Sequence, residues 1–375
     1  MMKNYSIIIA LCVVGVLGTT AVAQPQFNYP AYNAAISTYL SYRSWAVKQG
    51  GTEQKISQLV VPFSVLRPVT QNIDVYFSTS NASSMLKSES DYKLNGMTDG
   101  KFKAFWRLAE NSVMLSLGLG MPFGKNSFNE SENQVANALY ETVLGFKVKR
   151  YGEGFDADLG AVYARNFGGT FTIGFGVGYL FKGEYNYQTD SEIKFKPGDE
   201  LSIHGGVDIE LDSIFIRANV LHTRFGVDKL DGEQFLTEGS QTEIEALFHY
   251  HTYPISFSIF VNNIIKQENG VSGDLGRALL IGRNFIDNSF LSQAQFMFNL
   301  NPSFSFGGKF GFNKFGKSDI QVADAWTIHS GPEFYAKFSE TMIVRTDLMY
   351  LTGEAEANTI TLNGWQTTIA FSFRF

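Results

Sequence analysis

Cysteine occurs only once in this chain of 375 residues, at Cys12. It lies within residues 1–23, where an apolar run at 7–17 follows the single basic residue Lys3 and an Ala-x-Ala sequence ends at Ala23. This arrangement is typical of a secretory signal peptide, so we expect Sec export and cleavage near Ala23. The mature chain then has no cysteine, which excludes disulfide scaffolds, thiolate metal sites and cysteine nucleophiles.

Long apolar runs are also absent beyond the signal segment. No stretch there approaches about 18 consecutive apolar residues, the minimum for a membrane-spanning helix. An excess of positive charge is lacking as well, since 30 lysines and arginines stand against 36 aspartates and glutamates. We therefore expect neither a helical membrane protein nor a protein that binds nucleic acid.

Catalytic and metal-binding motifs are the third absence. The sequence contains neither a G-x-S-x-G nucleophile motif nor an H-E-x-x-H zinc motif. Of the five histidines, only His249 and His251 share one face of a strand, and two ligands do not make a metal site. The acidic loop at 228–234 lacks the EF-hand spacing. We expect no enzymatic activity, no cofactor and no bound metal.

Aromatic residues and glycine are abundant instead, with 34 Phe, 17 Tyr and 36 Gly. Between Phe171 and Phe181, and again between Trp365 and Phe375, mainly apolar residues alternate with small or polar ones. This period of two is typical of a β-strand with one apolar and one polar face. The mean hydropathy of -0.06 fits a membrane barrel, whose lipid-facing and lumen-facing residues cancel, but it also fits a secreted β-sandwich.

Strand number and loop length separate these two folds. Similar segments recur from residue 56 to the carboxyl end, joined alternately by short polar turns and long loops, as in outer-membrane barrels. Long connections are predicted at 81–100, 124–152, 182–198, 226–239, 267–290 and 315–324. The predicted fold is an all-β, transmembrane, antiparallel up-and-down barrel of about 16 strands covering residues 56–375 and a segment before it. Residues 24–55 either supply the first wall strand or plug the lumen, and a plug would leave about 14 strands.

The chain ends on an aromatic residue, Phe375, which closes an amphipathic strand. Such an ending resembles the signal that the barrel assembly machinery of Gram-negative bacteria recognises. We therefore expect a cell outer-membrane location, with the lipid bilayer and lipopolysaccharide as partners.

The connection at 124–152 differs from the others because apolar residues in 131–146 recur at helical spacing, which predicts one short amphipathic helix in an outer loop. The apolar residues Leu139, Val143 and Phe146 are candidate ligand contacts. The alternative is that the helix only packs against the barrel rim.

Charged residues are expected to face the lumen because a charge on the lipid face is costly. Strand alternation places Lys103, Asp156, Asp158, Asp208, Glu243, Glu245 and Arg374 there, together with five candidate selectivity residues: Arg107, Arg217, Lys309, Arg345 and Asp347. Their mixed signs equally fit an interior of mutually paired charges. Gly174, Gly176 and Gly178 leave part of the same wall without side chains, which indicates contact with a ligand or plug, or curvature of the sheet.

Three segments resemble the FadL/TodX family of hydrocarbon and fatty-acid transporters: 112–128, 152–167 and 174–187, with a helical loop after the first. The resemblance implies a monomeric barrel that takes up hydrophobic molecules from grooves in its outer loops. We therefore predict passive transport of small hydrophobic or amphipathic ligands. The alternatives are a general diffusion porin and an adhesion or structural barrel that acts through its loops.

Overall fold

A computed structural model describes residues 34–186, 193–271, 288–316, 324–356 and 359–375. Within these ranges the strands are, in chain order, β1 (Ala35–Gln49), β2 (Thr52–Pro68), β3 (Ile73–Lys87), β4 (Asp91–Met97), β5 (Gly100–Leu108), β6 (Val113–Met121), β7 (Asp156–Phe167), β8 (Phe171–Lys182), β9 (Tyr185–Asn186), β10 (Lys194–Lys196), β11 (Glu200–Glu210), β12 (Ile214–Phe225), β13 (Val227–Leu230), β14 (Glu233–Thr237), β15 (Gln241–Thr252), β16 (Ile255–Lys266), β17 (Gly270–Val271), β18 (Ser289–Asn301), β19 (Phe304–Phe315), β20 (Ala325–Ser339), β21 (Met342–Ala355) and β22 (Ile360–Arg374). One α-helix, α1 (Glu130–Tyr140), lies between β6 and β7.

The wall strands form one closed antiparallel barrel. β4 and β5 both pair with β3 and together make one interrupted wall strand. β1 pairs with β22 over its whole length, from Ala35 opposite Arg374 to Gln49 opposite Ile360, and this closes the sheet. The prediction of a 16-stranded up-and-down barrel with one helix is confirmed.

Residues 35–49 lie in the wall as β1, paired with β2 on one side and β22 on the other. They supply the strand that completes the sixteen and do not plug the lumen. Residues 24–33 and the predicted signal peptide lie outside the described residues.

The prediction of a long loop at 81–100 is wrong, because β3 continues to Lys87 and β4 returns from Asp91. The alternation of apolar and polar residues is inverted there. Leu86 and Leu94 are buried on the lumen side, whereas Ser83 and Asn95 are exposed on the outer side and joined by a 2.6 Å hydrogen bond. A search for lipid-facing apolar residues therefore misses this hairpin.

Tight turns join strands at both ends of the barrel, so short and long connections do not alternate strictly. At the end that carries the long loops, β1 and β2 meet through Gly50 and Gly51, which both adopt positive φ values, +56° and +89°. Two consecutive left-handed residues form the hairpin turn whose twist matches the strands. At the opposite end all connections are short.

The outer surface of the wall is apolar, as the alternation predicts. On β8, Phe175 is 60% exposed and Gly174 is buried; on β22, Trp365 is 53% exposed and Gly364 is buried. A closed barrel with this band satisfies all backbone hydrogen bonds and can span a bilayer. Among the described residues, no helix is long and apolar enough to cross a membrane.

A second, five-stranded sheet of β9, β10, β13, β14 and β17 stands on the long-loop end. An ion pair connects Glu238, which follows β14, to Lys266 at the end of wall strand β16. The Lys266 side chain is fully buried and lies over the Phe225 ring.

Candidate functional site

The connection between β6 and β7 folds into the barrel. Its helix α1 begins with a capping box in which the Asn129 side chain accepts from the backbone N–H of Glu132 and the Glu132 side chain accepts from that of Asn129. The buried face of α1 packs against lumen-facing residues of β3 and β4, including Leu86 and Leu94. The predicted helix is therefore present, but it ends at Tyr140 and covers the inner wall.

After α1 the chain crosses the lumen face of β20 to β22 and returns over β1, β2 and β3. Wall side chains hold its backbone along the way. The Trp45 Nε1–H donates to the Leu144 carbonyl at 2.8 Å, and Arg43 donates to the carbonyls of Leu144 and Gly145. The Gln58 side chain donates to the Val148 carbonyl at 2.7 Å and accepts from its N–H at 3.1 Å. We call residues 122–155 the inward loop.

One carboxylate joins both ends of the inward loop. Asp99, between β4 and β5, accepts from the N–H of Gly124 at 2.8 Å through one oxygen and from that of Glu153 at 2.6 Å through the other. Its own N–H donates to the Tyr151 carbonyl at 3.1 Å. The loop therefore leaves and re-enters the wall at one point.

The three apolar residues predicted as ligand contacts lie between the inward loop and the wall. Leu139 is 0% exposed, Phe146 4% and Val143 8%, and all three belong to one apolar cluster with Trp45 and Leu351. In this structure they fix the loop to the wall and are closed to a solute.

The candidate selectivity residues all face the lumen, and each is engaged with opposite charges. Arg107 contacts Asp74 at 3.1 Å, and Arg217 forms two hydrogen bonds with Asp208, at 2.8 and 2.7 Å. The structure thus brings them into pairs on separate parts of the wall.

Lys309, Arg345 and Asp347 form one network around Glu333, a residue that is 0% exposed. Lys309 Nζ lies 3.6 Å from Glu333 and 3.5 Å from Asp347, and Arg345 donates to Glu333. Gln295 donates to the second oxygen of Glu333 at 2.7 Å. Glu333 was not singled out from the sequence, although strand alternation places it inward.

The inward glycines of β8, Gly174, Gly176 and Gly178, are explained by the side chains on the next strand. A side-chain carbon at Gly176 would overlap the imidazole of His204, the residue opposite it on β11, and one at Gly178 would lie 2.8 Å from the Ser202 hydroxyl. Gly174 stands opposite another glycine, Gly206. These glycines make room for side chains of the next strand. The inner face from β6 to β11 is therefore rich in glycine, with a small apolar cluster around Met114 and Val162 near the short-turn end.

Replacing Gly176 by Leu should therefore destabilise the barrel by overpacking, by about 1–3 kcal/mol. The urea midpoint of the protein refolded in lipid vesicles would measure this. Gly308→Leu is the matched control, because Gly308 faces outward and its nearest atom to an added carbon is the Gly331 carbonyl oxygen at 3.6 Å. The second change His204→Gly should restore the midpoint; a Gly176→Leu protein as stable as the control would show that His204 does not occupy this space.

The lumen also has an apolar strip on the wall from β12 to β18. Leu247 and Phe260 stand directly opposite each other and are half-buried. Leu221, Ile264 and Leu291 lie on the same face, separated from this pair by the hydrogen-bonded polar group of Glu243, Glu245 and Asn262. These residues were not identified from the sequence, because an inward apolar residue looks like any other residue of a strand.

His249 and His251 stack on the lumen face of β15 with ring centroids 6.3 Å apart. Across the described part of the chain, no group of three His, Cys, Asp or Glu residues could hold a metal ion.

No protein-family model and no curated protein sequence matches this chain. Similar solved structures are outer-membrane proteins. OccAB1 of Acinetobacter baumannii has a TM-score of 0.48 at 10% identity, over 92% of this chain and 97% of its own. OpdQ of Pseudomonas aeruginosa has 0.45 at 11%, over 92% and 98%. A bacterial polysaccharide outer-membrane secretin has 0.48 at 10%, over 92% and 100%. Similarities this low carry no argument about function.

Proposed function

We propose that this protein is a passive channel of the Gram-negative outer membrane, through which small solutes diffuse without cofactor or energy source. One observation carries the proposal: the apolar contacts of the inward loop lie on one side of the lumen. Those contacts lie on β19 to β22 and β1 to β4, whereas the inner face from β6 to β11 is rich in glycine and meets the loop at its last residues, where Glu153 lies 3.4 Å from Lys182. We therefore place the path of the solute between the inward loop and this glycine-rich face.

Small polar solutes fit this lumen best. The described inner wall carries paired charges such as Lys103 with Asp158 at 2.9 Å and Arg217 with Asp208 at 2.7 Å. Water is needed around such groups, and a wet lumen conducts ions.

Hydrophobic or amphipathic cargo, as the FadL/TodX resemblance implies, is the second candidate. The apolar strip with Leu247 and Phe260 at its centre favours it, because half-buried apolar side chains facing a polar lumen offer a surface for an apolar ligand. Leu139, Val143 and Phe146 are not available to such a ligand unless the inward loop moves.

Adhesion through the inward loop is the least supported function. Val135, Leu139 and Leu144 are buried against the wall and offer nothing to a partner outside the cell. Contacts with lipopolysaccharide, and with the assembly machinery through the 66% exposed Phe375, remain part of the proposal.

Planar lipid bilayers distinguish the two transport candidates. The mature protein should insert and give steady, ohmic current steps in potassium chloride if the lumen is water-filled. A channel for hydrophobic cargo should insert and conduct little. A mature protein that is soluble without detergent and shows no heat-modifiable gel mobility would contradict the membrane assignment itself.

A further inference from the structure

The inward loop carries a lysine, Lys147, into the lumen. Its Nζ lies 4.1 Å above the ring of Tyr39, the fifth residue of β1 counted from the short-turn end, so the ammonium group reaches deep into the barrel. Its neighbours Phe146 and Val148 are buried against the wall, whereas the Lys147 side chain is exposed to the lumen. The fixed backbone on both sides holds this charge in place.

The positive charge of Lys147 is not neutralised by a carboxylate. Among the described residues, the ammonium group of Lys147 makes a cation–π contact with the Tyr39 ring and forms no ion pair with Asp or Glu. Arg43 faces Lys147 from β1. It donates its hydrogen bonds to Gln366 and to two carbonyls of the inward loop, and no carboxylate of the described residues accepts from it.

The remaining charges nearby do not cancel this excess. Lys309 and Arg345 are balanced by Glu333 and Asp347, two cations against two anions. Arg43 and Lys147 therefore leave two uncompensated positive charges in this part of the lumen. Fixed charges in a narrow lumen with low-dielectric walls concentrate ions of the opposite sign.

We infer that Lys147, supported by Arg43, is the residue that determines ion preference in this channel, and that it forms a binding position for small anions such as chloride and carboxylates. The inference rests on the proposed channel function and adds to it the class of solute. The glycine-rich wall from β6 to β11 lies across the lumen from this charge in the order of strands around the barrel.

The position should respond to pH. Desolvation inside the barrel, and secondly repulsion from Arg43, lower the pKa of Lys147 to about 8; Lys309 acts in the same direction and Asp347 opposes it. The other titratable groups of this neighbourhood are Tyr39 on β1 and His329 on β20. Lys147 therefore loses its charge gradually as the pH rises through about 8, and anion preference should fall over the same range.

Reversal potentials of reconstituted channels test the inference. They should be measured in a potassium chloride gradient near about 0.1 M, where the Debye length of about 10 Å leaves the charge effective. Lys147→Gln should lower the chloride-to-potassium permeability ratio by about fivefold, because one unit charge at lumen distances attracts the anion and repels the cation. Sodium acetate in place of potassium chloride extends the test to a carboxylate.

Two variants serve as controls. Lys147→Arg should keep the anion preference and lose its fall near pH 8, because an arginine does not titrate there. Lys55→Gln removes the same charge from an exposed position of the β1–β2 hairpin and should leave the ratio unchanged. Normal conductance with unaltered selectivity in Lys147→Gln would overturn this inference alone. A wild-type protein that inserts without carrying current would overturn the channel function as well.

Discussion

Vesicles containing a variant without residues 126–151 should admit sugars that the wild-type channel excludes, and should swell several times faster in the sugars that both admit. The excised segment contains α1 and the whole part of the inward loop that crosses the lumen. Because Asp99 holds Gly124 and Glu153 side by side, two glycines can join Lys125 to Gly152 without straining the wall.

The barrel should survive this excision. The wall strands are held by a continuous ladder of backbone hydrogen bonds that does not involve the loop, including the closing pair β1–β22. Apolar wall residues such as Leu94 and Leu362 would become exposed to water. This should lower the urea midpoint of unfolding without preventing folding.

Vesicle swelling in a series of uncharged sugars measures the effect. A protein with the two glycines inserted after Lys125 and nothing removed is the control for the linker. Equal size limits in the excised and control proteins would mean that the inward loop does not narrow the passage.

Replacing Glu333 by Ala should have the largest effect on stability, a loss of about 3 kcal/mol in the free energy of unfolding. Glu333 is fully buried and accepts from Arg345 and Gln295, while Lys309 lies 3.6 Å away. Without it, Arg345 loses its carboxylate and Lys309 retains only Asp347, so buried positive charge is left uncompensated.

Urea unfolding in lipid vesicles gives this free energy. Glu340→Ala is the matched control, because its ion pair with Lys337 leaves the carboxylate 89% exposed, and such pairs contribute about 0–1 kcal/mol. The free energy of unfolding of Glu333→Gln should lie between those of Glu333→Ala and Glu340→Ala, because glutamine keeps a hydrogen-bond acceptor and loses the charge. Equal midpoints for Glu333→Ala and Glu340→Ala would show that the network does not support the wall.

The fold could be predicted from the sequence wherever lipid faces the wall. The alternation from Phe171 to Phe181 and from Trp365 to Phe375 reports two different environments, and the outer one is lipid in both. The same alternation at Leu86 and Leu94 has the opposite sense, because an inward helix replaces lipid as the apolar partner. Alternation reveals that a strand has two faces but does not reveal which partner covers each.

The site was less predictable for a related reason. The apolar face of α1 is the same whether the helix covers the barrel rim or the lumen wall, so Leu139 and its neighbours could be recognised as buried but not placed. The direction of the loop depends on distant residues, among them Trp45, Gln58 and Asp99. The role of Lys147 follows only once that direction is known.

The paired charges illustrate the same limit. Strand alternation correctly places Arg217 and Lys309 in the lumen, but their partners lie on other strands whose register the sequence does not reveal. Asp208 stands directly opposite Arg217 in the sheet, and that register makes the pair.

A single cysteine at position 147 gives the most direct test that the inward loop lies in the path of a conducting channel. The only native cysteine, Cys12, is in the predicted signal peptide, so Lys147→Cys gives a mature protein with one thiol. Current through an open channel should fall stepwise when a bulky, membrane-impermeant thiol reagent is added, and the same reagent on a Lys55→Cys channel should have no effect. Full labelling of Cys at position 147, verified by mass spectrometry, with an unchanged current would contradict the account.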